Sequence, residues 1–153
     1  DPGILLWLAV EQGVPLATLR DGLEHRSGLV GLAGTPDMRA VLAGAATGLE
    51  PQRLAREVYL HRLRAGIAAM VASLDGLDAI VFTGGIGERS GPIRALAANR
   101  LGFLGVAVDP ALNDTCDGTQ DAVISPDGAQ VRAYVVPARE DIEIARQVRA
   151  TLR

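Results

Sequence analysis

The sequence is poor in the residues that cross-link, stack or span. It has one cysteine, Cys116, among 153 residues, which excludes an internal disulfide and fits a reducing compartment such as the cytoplasm. Aromatic residues make up 3% of the chain, so a core has to be built from Leu, Val, Ile and Ala. Lys and Arg form no run long enough to track a phosphate backbone, and the net charge is −3. Nucleic acid is therefore not the expected partner. Ile4 to Val10 is an apolar run of seven residues, against the roughly 20 that a membrane span needs. It also lacks the basic flank and cleavage site of a signal peptide. No initiator Met precedes Asp1-Pro2-Gly3, and helix-like sequence follows at once. The chain reads as an interior piece of something longer.

What is present points to a globular α/β chain. Hydrophobic residues are 48% of the sequence, and the length is enough for one domain with a sizeable core. Asp1-Pro2 and Gly13 bracket a helix over Ile4–Gln12, and Leu16, Leu19 and Leu23 continue at helical spacing after Pro15. Glycine and proline between His25 and Arg39 break all periodicity; a helix resumes near Asp37 and ends by Gly48. The longest helix is expected over Pro51–Leu74, with Leu54, Val58, Leu60, Leu63, Ile67, Met70, Val71 and Leu74 on one stripe. Ala79–Phe82 has the continuous apolar character of a strand buried on both faces. Leu104–Val108 reads as another strand and Asp109–Asp121 as a polar loop. Ala122–Ser125 and Val131–Val136 flank Pro126-Asp127-Gly128 as a hairpin, and Glu140–Leu152 is an amphipathic helix.

The chemistry concentrates in "VFTGGIGERS", Val81–Ser90, where glycines separate a strand from a helix that Ser90 or Gly91 caps, with Pro92 in its first turn. Unpaired amides and the helix dipole make such a junction receptive to a phosphate or a nucleoside. A P-loop is excluded because no Lys follows the glycines. A dinucleotide fingerprint matches Gly85 and Gly87, with Ser90 where its third glycine belongs and Asp109 near the place of its ribose acid. A tight turn that holds nothing is a third reading. The fourth is adenosine binding in the actin, hexokinase and Hsp70 manner.

Four segments favour the fourth. "DAIVFTGGIGERS" (Asp78–Ser90), "SGLVGLAGTPDMR" (Ser27–Arg39), "DPG" at Asp1 and "VVPAREDIEIAR" (Val135–Arg146) resemble, in order, segments of the acetate kinase family. The likeness covers this whole chain and only the C-terminal part of the family's. It implies a ribonuclease-H-like, actin/hexokinase-type α/β fold with inserted helices. On that likeness residues 1–153 are the C-terminal nucleotide-binding domain of a longer enzyme.

The activity implied is phosphoryl transfer between ATP and acetate, giving ADP and acetyl phosphate. Propionate and butyrate kinases share that chemistry. Asp37, Met38 and Arg39 are implied at the adenine and ribose, where a guanidinium stacks on the base. Gly85, Ile86 and Gly87 are implied to close on the nucleoside, with Glu88 orienting the segment and Arg89 alongside. Glu140 stands at the family's magnesium glutamate, although the family's preceding Thr-Asn is Ala138-Arg139 here. Catalytic arginines, histidine and aspartate are implied to lie upstream of Asp1, leaving none in this chain. A homodimer is the implied assembly. His25 and His61 have no metal-like neighbours in sequence, and Asp109, Asp114, Asp117 and Asp121 lack calcium-loop spacing.

Overall fold

The structure, a computed structural model, describes residues 1–152. The chain divides into two compact units, the first from Asp1 to Tyr59 and the second from Leu60 onward.

In the first unit the helices start at acid-and-proline punctuation. The Asp1 carboxylate accepts a hydrogen bond from the Gly3 amide at 2.7 Å, and Pro2 fills the first turn of α1, Pro2–Val10. Pro15 precedes α2, Leu16–His25. The stretch expected to be aperiodic contains a further helix, α3, Gly28–Ala33, which Gly34 ends in the left-handed conformation. Glycines at 28 and 31 add nothing to an apolar stripe, which is why periodicity could not reveal it. Asp37 caps α4, Met38–Ala46, whose Met38, Val41 and Ala45 recur on one face and are buried. The longest helix, α5, Glu50–Leu74, contains the division between the units. Of its apolar stripe Leu60 is buried, whereas Leu54, Met70 and Leu74 are 49%, 59% and 69% exposed.

The second unit is built on a three-stranded sheet in the order β1-β3-β2, with β1 Ala79–Phe82, β2 Ala122–Val123 and β3 Arg132–Val135. β1 runs parallel to β3, Ile80 opposite Ala133 and Phe82 opposite Val135. β2 and β3 form the expected antiparallel hairpin, its turn closed by the Ala129 amide on the Pro126 carbonyl at 3.2 Å. β1 is not buried on both faces. Ile80 and Phe82 point inward, while Val81 is 52% exposed. As a sheet-edge strand it alternates with a period of two, and a short apolar run does not reveal that difference.

Two further expectations are corrected. Leu104–Val108 is not a strand: Gly102–Leu104 forms one 3-10 turn, Gly105 takes a left-handed φ of 83°, and a single bridge joins Val106 to Val131. Asp109–Asp121 is not all loop, because Pro110–Thr115 forms a helix. The remaining helices number in chain order as α6 Gly84–Arg89, α7 Gly91–Ala98, α8 Pro110–Thr115 and α9 Glu140–Thr151. α9 forms where its periodicity puts it, yet its apolar residues Ile142, Ile144 and Val148 are exposed. Among the described residues no helix is long and apolar enough to cross a membrane.

The start of α8 uses the same device as α1, an Asp cap followed by Pro. The Asp109 carboxylate accepts from the Leu112 amide at 3.0 Å. Asp109→Ala is expected to lower unfolding stability by about 1 kcal/mol, read from urea denaturation. Asp114→Ala, on the exposed side of the same helix, should leave it within about 0.5 kcal/mol.

Candidate functional site

β1 delivers the chain to Thr83, still extended, and Gly84 then turns at φ 72°. That conformation suits a residue without Cβ. The glycine segment is not a loop beyond that turn; it coils into α6. A helix of six residues is too short to hold itself in water, and its glycines offer no side chains to pack. Two charged side chains hold it instead.

Glu88 is the first. It is buried, and its Oε1 accepts from the Gly84 amide at 2.7 Å and from the Ala138 amide at 2.8 Å. The first bond closes the α6 turn upon itself. The second ties that turn to the segment leading into α9. The Ala138 amide foremost, with the Gly84 amide adding, holds the Glu88 carboxyl below its ordinary value of 4.5 against the opposing effect of burial.

Arg94, on α7, is the second. It is 0% exposed, and no carboxylate faces it among the described residues. Its Nε donates to Asn113 Oδ1 at 2.7 Å. One terminal nitrogen donates to the carbonyls of Gly87 and Glu88 at 3.0 and 2.6 Å. The other donates to the carbonyls of Asn113 and Cys116 at 3.0 and 3.1 Å. These contacts engage every donor a guanidinium has. Asn113, itself buried, completes the cluster by donating to the Gly91 carbonyl at 3.0 Å. Gly118, at φ 74°, lies so close to the Glu88 carbonyl that a Cβ there would collide with it.

Sequence reasoning missed Arg94. The one available signal was its place: it shares a helix face with Ala97 and Ala98, three and four residues on, both buried. A cation on an apolar face has to find oxygen partners.

The residues singled out from sequence are placed as follows. Gly85 is exposed, with nothing within 4 Å of where a Cβ would stand, so its backbone is open to a ligand. Ile86 is half-buried and Arg89 exposed. Glu140 opens α9, is exposed, and follows by two residues the Ala138 amide that Glu88 holds. Glu88 thus joins the glycine segment and the Glu140 segment into one piece. No three His, Cys, Asp or Glu side chains gather as a metal cluster among the described residues, so Glu140 offers a single carboxylate.

In the first unit, Asp37 and Arg39 form a two-pronged pair, Nε to Oδ1 at 3.1 Å and the terminal nitrogen to Oδ2 at 2.9 Å. Asp37 also caps α4 through the Arg39 amide at 2.9 Å. These contacts, the side-chain bond first, hold the Asp37 carboxyl below its ordinary range. The Arg39 side chain is 91% exposed, so the faces of its guanidinium are free. Met38 is buried in the α4 core and offers a ligand little beyond its backbone.

The acetokinase family model matches residues 1–146. The chain belongs to the acetokinase family. It is 47% identical to an acetate kinase of Synechococcus sp. over 95% of this chain and 36% of that protein. Among solved structures it resembles the Porphyromonas gingivalis acetate kinase, with a TM-score of 0.87 and 30% identity over 100% of this chain and 38% of that one. It also resembles a Francisella tularensis propionate kinase, with a TM-score of 0.83 and 32% identity over 95% of this chain and 36% of that one. The chain therefore spans little more than a third of the length of the relatives it matches. The actin/hexokinase-like α/β fold implied by the sequence is the fold of this acetokinase chain.

Because the folded Glu88 carboxyl sits below its unfolded value, its contribution to stability is present above about pH 4.5 and is lost as pH falls through the folded value. Protection of the Gly84 and Ala138 amides, relative to their intrinsic exchange rates at each pH, should be lost on acidification before that of β3. Glu88→Gln keeps an acceptor oxygen without the charge, so it should flatten this acid dependence and raise exchange at neutral pH.

Proposed function

We propose that this acetokinase chain is the C-terminal, nucleotide-binding portion of an acetate kinase, which transfers a phosphoryl group between ATP and acetate to give acetyl phosphate and ADP. The reading is carried by the open glycine backbone at Gly84–Gly85, held in place by Glu88 and lying in a family of phosphoryl-transfer enzymes.

In this reading Arg39 stacks a free guanidinium face on the adenine. Asp37 uses its remaining acceptor capacity for the ribose. Gly85, Ile86 and Gly87 line the nucleoside with backbone and a little apolar surface, Glu88 sets their position, and Arg89 stands nearby. Glu140 is the magnesium carboxylate. One exposed Glu fits that cation, which is held by few carboxylates and completed by water and phosphate oxygens. Bound magnesium neutralises the phosphate charge that builds up during transfer. The transfer machinery and the carboxylate pocket lie outside these residues, so catalytic residues are assigned to none of them. Acetate is preferred over propionate and butyrate as acceptor, and the enzyme works in the cytoplasm.

Titration of ADP into the 153-residue chain, followed by amide chemical shifts, should give a dissociation constant of ~1 mM, about 4 kcal/mol. Magnesium should tighten it little. Arg39→Ala should weaken it roughly 2- to 5-fold, the value of an exposed cation–π contact, and acetyl phosphate should not form. Micromolar binding indifferent to Arg39→Ala, or acetyl phosphate made by this chain alone, would overturn the assignment. Kinetics of the longer protein with acetate, propionate and butyrate test the acceptor.

A second reading, assembly through α5, has its own observation. Leu63, Ile67, Met70, Val71, Leu74 and Leu77 line an apolar groove of about 550 Å³ in the second unit. A homodimer would cover it. Sedimentation that finds a strict monomer at high concentration argues against that assembly.

A further inference from the structure

Arg94 and Glu88 are the buried charged side chains among the described residues. Glu88 is accounted for by two amides. Arg94 is harder to account for, because a buried cation without a counter-charge is costly and a hydrophobic residue of similar volume often serves a core as well or better. Its partners explain the choice. Gly87 and Glu88 belong to the last turn of α6, and Cys116 is the C-terminal cap of α8. Both groups are carbonyls at the negative ends of short helices, where a cation is favoured. Only a planar fork with five donors satisfies them together; an ammonium has three.

We propose that Arg94 is a positioning residue for nucleotide binding. By gripping the carbonyls of Gly87 and Glu88 from inside the protein, it fixes the peptide planes of α6 and so presents the open backbone of Gly84–Gly85 to the ligand. Being fully buried, it acts through α6 and touches no ligand itself. The inference rests on the nucleotide reading of the glycine segment.

The test uses the full chain with Arg94→Met, which fills the volume, Arg94→Lys, which keeps the charge, and Arg94→Ala. Three quantities are measured: thermal unfolding, amide exchange at residues 84–90 and in β3, and ADP affinity. Cooperative unfolding is expected to persist in Arg94→Met and Arg94→Lys. Exchange at residues 84–90 should rise at least tenfold more than in β3, and ADP affinity should fall at least fivefold. Ethylguanidinium, which replaces the group deleted in Arg94→Ala, should restore both, and ethylammonium should not.

Variants that are less stable yet bind ADP like the parent would make Arg94 a core residue only and overturn the proposal. If the Arg94 variants do not fold, Asn113→Ala decides. It removes one acceptor of the fork, and selective loosening at 84–90 with weaker ADP binding is expected; unchanged binding overturns the proposal. Failure of the parent chain to bind ADP would instead remove the nucleotide reading on which the proposal stands.

Discussion

A guanidinium sealed in the second unit without a carboxylate is the constraint on which the candidate site depends. A charge in that position is tolerable only if every donor is met. Arg94 meets that condition with oxygens drawn from α6, α8 and the residue that ends α8. Any displacement of α6 would leave a buried donor unpaired. The two of its five bonds that reach α6, to Gly87 and Glu88, therefore brace that helix against α8. α6 needs this, since its glycines contribute neither packing nor propensity.

Glu88 works from the other end of the same helix and with the opposite charge. Its carboxylate sits against two amides, one in the turn it closes and one fifty residues away at Ala138. Arg94 collects carbonyls and Glu88 collects amides, so α6 is held at both ends by groups complementary to its dipole. The consequence reaches Glu140, whose carboxylate is exposed but whose backbone starts just beyond the amide that Glu88 fixes. Glu140 thus keeps a free side chain on an anchored main chain.

Much of this was legible in sequence, for identifiable reasons. Asp1-Pro2, Asp37 and Ser90 with Pro92 signalled helix starts because capping is a local contact, made within three residues. Asp109-Pro110 carried the same signal and was overlooked beneath the polar residues that follow. α3 was hidden because its glycines erase the stripe that periodicity depends on. The sidedness of β1 was hidden because Ala-Ile-Val-Phe is apolar at every position, and only the sheet decides which alternate pair is covered. Arg94 was illegible in a deeper sense. Four of its five acceptors are backbone carbonyls, and a carbonyl leaves no mark in the sequence; its fifth, Asn113, is nineteen residues away. A resemblance carried over motif by motif singles out the glycine segment and passes over the buried side chain that braces it.

The Asp37–Arg39 pair shows the same logic on a surface. An exposed ion pair contributes little to stability, about 0–1 kcal/mol, because water screens it. Stability is thus a poor reason for a geometry in which both carboxylate oxygens meet the guanidinium in its plane. What that geometry accomplishes is orientation. Asp37 is fixed as the cap of α4, with its own amide donating to Thr35 Oγ1 at 3.2 Å, and it holds the Arg39 fork edge-on. The faces, which are the surfaces that stack, stay in solvent. Long side chains lose considerable rotamer entropy when they settle on a ligand. A guanidinium already held at its edge has surrendered part of that freedom on folding, so under the proposed nucleotide reading less is lost when a flat ring arrives.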